Sequence, residues 1–186
     1  AVHEGRHVTQ MQFGMKNNQK PFYLAFGEMW NILVSIIYPG FSLIEGDAVM
    51  AETALTYSGR GRTADFLNYY RIAFDNGIYR SWSHWRYPSQ RNYTPDHYAL
   101  GYLTFGGIRY LYNYPTFMKD GYDMASRKIF NLSPFTRAIK ENRTRKNFKE
   151  TFQEVCDTMH GIWSRYSQAR APFIYMKEVT KEPRLY

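Results

Sequence analysis

Apolar positions along the chain recur at helical spacing, and the breaks between runs fall at Gly, Pro and Asn. Residues 1–16 read as a helix that ends in the GMKNNQK cluster. PFYLAFGEMWNILVSIIYPG, an apolar run between Pro21 and Pro39, predicts a buried helix of about four turns over 21–38. FSLIEGDAVMAETALTYSG predicts another, stopping at Ser58-Gly59, and ADFLNYYRIAFDNG one that ends at Asn76-Gly77. The stretch 78–96 is irregular and rich in aromatics and arginine. Thr94-Pro95-Asp96 then has the form of a helix start, and HYALGYLTFGGIRYLYNY carries the helix on. The Gly106-Gly107 pair inside it marks a close approach to a neighbour. Further helices are expected over 116–130 and 144–169, and alternation in APFIYMKEVTKEPRLY predicts a strand leaving the domain. The fold class is mainly α, with one domain over 1–170 and an exit segment or linker over 171–186.

Composition narrows the picture. With 186 residues and 44% apolar content the chain can bury one sizeable core. A net charge of +8 attracts acidic partners, but the Lys and Arg residues are dispersed. The densest run, KENRTRKNFK at 140–149, reads as a solvated surface, and no nucleic-acid-binding module accompanies it. No nucleic-acid partner is expected. The single Cys156 excludes an internal disulfide and a cysteine-rich zinc module. Glu28 and the flanking prolines leave 17 residues between Pro21 and Pro39, short for a bilayer span, so membrane association of this domain is not expected. The first residue is not Met, and His3 would sit in the unsupported first turn of a helix. The chain therefore reads as a piece of a longer protein.

The candidate chemistry lies at the start. AVHEGRH places His3 and His7 four residues apart, one above the other on a helix, with Glu4 beside the first. This is the H-E-x-x-H arrangement in which two imidazoles hold a cation and the glutamate acts on its bound water. The alternative is two histidines on a polar helix face with no ligand role. A catalytic zinc usually takes three protein groups and keeps one position open, so a third ligand decides between them.

LIEGDAVMAE supplies one by resemblance. HEGRH followed by Glu45-Gly46, with Phe41 upstream, resembles the gluzincins, the zinc peptidases typified by thermolysin and the aminopeptidase-N-type enzymes. The resemblance implies a zincin-type helical lobe whose substrate-binding sheet lies outside this chain, one Zn²⁺ held by His3, His7 and Glu45, and Glu4 as general base. It further implies that Glu52, seven residues after Glu45, supports a zinc-binding histidine, with Asp47 as competing candidate. Tyr98-Ala99-Leu100-Gly101 matches a Y-x-x-G in which the tyrosine donates to the reacting carbonyl; Tyr102 and Tyr93 are alternates, then His84 or His97. His7 and Glu45 are separated by 37 residues, roughly twice the usual family spacing.

More closely, residues 1–170 resemble bacterial envelope proteins that carry a peptidase-MA-like gluzincin domain, commonly followed by a TolB-type β-propeller. That implies a periplasmic or envelope location and a peptide or protein substrate. The rival expectation is a non-catalytic envelope interaction module that keeps the fold and uses exposed Trp82, Trp85, Tyr87 and Tyr93.

Overall fold

The computed structural model describes residues 1–37, 40–89, 91–127 and 133–169. Among them the chain is helical, and the only extended pairing is a single bridge between Ser89 and Asn92. The mainly α class is what the structure shows. The strand expected over 171–186 lies outside the described residues.

Helix α1 (Val2–Met11) leads through short 3₁₀ turns into α2 (Lys20–Phe26) and α3 (Glu28–Ile37). Then come α4 (Phe41–Leu55), α5 (Asn68–Asp75) and the short α6 (Trp82–Arg86). The chain continues with α7 (His97–Tyr112), α8 (Phe117–Arg127), α9 (Pro134–Ile139) and α10 (Phe148–Gln168). Local chemistry sets several boundaries. Asp96 caps α7 by accepting from the Ala99 N–H at 3.0 Å, and Pro95 lies just outside the helix. Asn147 and Glu150 form a reciprocal capping box that starts α10 four residues later than the apolar pattern implied.

α4 is the centre of the molecule. Leu43, Ile44, Ala48 and Val49 are all buried, because α1 packs on one side of the helix and α7 on the other. The α4–α7 crossing is backbone on backbone: a Cβ on Gly46 or on Gly101 would overlap main-chain atoms of the other helix. Gly107 presents the same kind of gap to the Val155 side chain of α10, as the glycine pair had indicated.

Two expectations need correcting. Residues 21–38 do not form one buried helix. Gly27 has φ +59° and ψ −143°, a combination that side chains with a Cβ avoid, and it breaks the run into α2 and α3. Only Asn31, Val34 and Ser35 of α3 are buried, and most of its apolar residues face outward. In the irregular stretch, Trp85 is a core residue at 1% exposure, and half-buried Trp82 packs edge-on against Phe148 and Phe152. Of the four aromatics expected at the surface, Tyr87 and Tyr93 are the exposed ones.

Cys156 is buried in the core, and burial pushes its thiol up to about 12. The folded protein is expected to resist a thiol reagent such as DTNB at neutral pH and to react stoichiometrically once denatured. Rapid labelling of the native chain would contradict the packing of α10 on α7.

Candidate metal centre

The packing of α1 on α4 brings distant residues together. His3 and His7 project from successive turns of α1, and Glu45 meets them from the first half of α4. His3 Nε2 lies 3.0 Å from Glu45 Oε2, His7 Nε2 lies 3.2 Å from the same oxygen, and the two Nε2 atoms are 3.1 Å apart. All three side chains are 14–20% exposed, so the cluster is sheltered yet reachable from solvent.

The outer ring nitrogens fix what this triangle can do. Gln10 Nε2 donates to the Ile44 carbonyl (3.0 Å) and to Asp47 Oδ2 (2.8 Å), which leaves Gln10 Oε1 as an acceptor 2.8 Å from His7 Nδ1. A neutral His7 therefore carries its proton on Nδ1 and aims a bare lone pair from Nε2 into the triangle. Arg6 completes the array by pairing with Asp47 at 2.7 and 3.1 Å. On His3, Nδ1 lies 3.2 Å from Glu52 Oε2 and 2.8 Å from Arg60 Nη2. Arg60 can only donate, so in this arrangement Nδ1 accepts; a cation on His3 Nε2 needs the proton on Nδ1, which requires the Arg60 N–H to leave Nδ1 so that Glu52 accepts from it instead. Arg60 also binds Glu52 through Nε at 2.8 Å, and its hydrogen bond holds the Glu52 carboxyl below the usual range.

Two imidazole Nε2 atoms and a carboxylate oxygen thus converge with edges of 3.0–3.2 Å, although the Arg60 N–H donating to His3 Nδ1 leaves the neutral His3 proton on Nε2, aimed at Glu45. Ligands around a tetrahedral zinc at its usual bond lengths stand about 3.3–3.5 Å apart. The donor set and spacing fit that ion within a few tenths of an ångström, and these three form the group of potential metal ligands found among the described residues.

The other candidates divide. Glu4 is exposed beside His3. Tyr98, at the start of α7, is half-buried with its ring 6.1 Å from that of His3 and the Arg60 guanidinium 4.6 Å from its face. The exposed His97 ring lies tilted beside that of Tyr98, with centroids 4.4 Å apart. Tyr102 instead packs beneath Gly61 and edge-on against Phe66, Tyr93 packs on Tyr69, and His84 bonds Ser81. Asp47 touches neither histidine ring; it stands behind Gln10. A concavity of about 670 Å³ along the start of α10 is remote from this chemistry. A cleft of about 270 Å³ opens beside His3, Glu52 and Arg60.

Sequence reasoning missed Gln10, Arg6 and Arg60. Gln10 was available: positions 3, 7 and 10 share one helix face. Arg60 was not, because it arrives from a single 3₁₀ turn, Arg60–Arg62, 57 positions after His3. No family model, curated protein or solved structure matches the chain.

Proposed function

We propose that this chain is the catalytic part of a gluzincin-type zinc metallopeptidase that hydrolyses peptide bonds in a peptide or protein substrate of the bacterial envelope. The observation that carries the proposal is the convergence of the His3, His7 and Glu45 donor atoms, with Gln10 and Glu52 poised at the outer nitrogens. Bound Zn²⁺ would lower the pKa of a coordinated water and polarise the scissile carbonyl. Glu4 takes the proton of the attacking water and returns it to the leaving amine. Asp47, through Gln10, keeps the His7 lone pair directed inward, and Glu52 would do the same for His3 once zinc binding moves the Arg60 N–H off Nδ1. The Tyr98 hydroxyl, held on the rigid first turn of α7, donates to the oxygen on which charge develops.

Elemental analysis and a peptide-library assay test this directly: about one zinc per chain is expected, with cleavage abolished by a chelator. A chain that stays metal-free in micromolar zinc overturns the proposal. Tyr98→Phe separates chemistry from structure. Its zinc content and melting temperature are expected to match wild type, with kcat lowered by about 10²–10³ and KM little changed. Tyr102→Phe is the near-neutral control. Full activity of Tyr98→Phe would move the oxyanion donor elsewhere, with His97 the nearest alternative.

A further inference from the structure

We infer that the α2–α3 segment is a membrane-surface anchor that seats the domain on anionic lipid. In α3, Met29, Ile32, Leu33, Ile36 and Ile37 occupy one helical stripe and are 45–70% exposed. Leu24 and Phe26 of α2 extend the apolar surface at 74% and 62% exposure. Meanwhile the polar Asn31 and Ser35 of α3 point into the protein, and Asn31 Oδ1 has no hydrogen-bond partner among the described residues. A helix facing water would reverse this arrangement, since burying an unsatisfied polar atom and exposing a continuous apolar stripe both cost free energy. The surroundings of α3 are therefore apolar.

Charge selects the occupant. Between Glu4 and Glu45 the only acidic residue is Glu28, which accepts from Tyr23 Oη (2.6 Å) and Asn31 Nδ2 (3.0 Å). Exposed Lys16 and Lys20 flank the start of α2, and the Arg86 guanidinium lies against Gly40 beyond the end of α3. An apolar stripe preceded in the chain by two exposed lysines, with Glu28 as the one acidic residue near it in sequence, is complementary to a headgroup layer of anionic lipid. A second copy of a chain carrying +8 is a poorer match, because the two would repel. The stripe from Met29 to Ile37 is about 12 Å long at the helical rise, far short of a hydrocarbon core of about 30 Å. It lies in the interface rather than crossing it, in keeping with the absence, among the described residues, of a single helix long and apolar enough to span. The expectation of a domain without membrane contact rested on Glu28 and on a run too short to span, and that ground does not bear on a helix lying in the interface.

Cosedimentation of the full chain with phosphatidylcholine vesicles, with and without phosphatidylglycerol, tests the inference. Binding to the anionic vesicles is expected, weakening as salt rises. Leu33→Gln/Ile36→Gln should bind more than tenfold more weakly with unchanged circular dichroism, because two inserted apolar side chains are lost. Lys16→Gln/Lys20→Gln should weaken anionic binding about 10–30-fold and flatten its salt dependence. Glu45→Ala should bind vesicles like wild type, which keeps this test separate from the zinc assignment. Three results overturn it: no binding to either vesicle, wild-type binding by Leu33→Gln/Ile36→Gln, or a dimer in sedimentation equilibrium that this variant dissolves while vesicles remain unbound.

Discussion

Glu4→Gln is expected to hold a full equivalent of zinc and to hydrolyse peptides about 10²–10⁴-fold more slowly than wild type. The two halves of that result come from different atoms. Glu4 is exposed and contributes nothing to the 3.0–3.2 Å triangle, so the amide leaves the donor set intact. It cannot accept a proton at neutral pH, so proton transfer is lost. Glu45→Ala should give the opposite pattern. It removes the one carboxylate facing both Nε2 atoms and leaves a two-histidine site, so zinc should be lost on dialysis and activity with it. His3→Ala and His7→Ala should behave like Glu45→Ala. Gln10→Leu should fall between, retaining zinc at roughly 10–100-fold lower affinity, because His7 loses the acceptor that fixes its tautomer. Competition with a chromophoric chelator and a fluorogenic peptide assay measure both quantities. Stoichiometric zinc in Glu45→Ala would require another third ligand and end the gluzincin reading.

How much of this was legible depends on what spacing can encode. Periodicity gave the helices that carry the site, and Asp96 marked the start of α7, but α4 ends at Leu55, short of Ser58-Gly59, and α1 ends at Met11 rather than near residue 16. It also fixed which residues share a face: His3 with His7, and Glu45 with Glu52. That α1 would lie across α4 was not readable from spacing, since Glu45 lies 42 positions after His3 and the connection includes α2 and α3. Orientation was not readable for α3 either. Its stripe at 29, 32, 33, 36 and 37 identifies an apolar face, but periodicity does not say whether that face meets protein or something else. Gly27 was a visible warning inside the apolar run, because a positive φ at that position ends a helix. Arg60 gave no signal, because a three-residue 3₁₀ turn is too short to show a periodicity that would place it.

The glycines of the two motifs carry the largest stability prediction. Gly101→Ala is expected to destabilise the fold by at least about 3 kcal/mol, lowering the melting temperature by about 6–12 °C, and to weaken zinc binding as well. The new methyl would overlap the Ser42 carbonyl and approach Gly46 Cα, and neither is a side chain that can rotate away. Relief requires α7 to move off α4. That movement displaces Glu45, which adjoins Gly46, and Tyr98, which lies one turn before Gly101. The position next to a ligand and the position one turn after a proposed oxyanion donor are thus glycine for the same reason: the helices must touch for the two side chains to share a site. Gly107→Ala makes a sharp comparison, because its methyl would strike the Val155 side chain instead. Trimming that partner in Gly107→Ala/Val155→Ala should recover much of the lost stability, whereas no side-chain truncation should rescue Gly101→Ala. Gly5→Ala, with nothing within 4 Å of the added carbon, should be neutral or stabilising by about 0.5–1 kcal/mol with zinc affinity unchanged. Thermal melts of the five proteins, wild type included, with zinc titrations on each, measure the set. If Gly101→Ala melts like Gly5→Ala, α4 and α7 do not cross in contact, and the geometry that brings Tyr98 beside His3 fails with it.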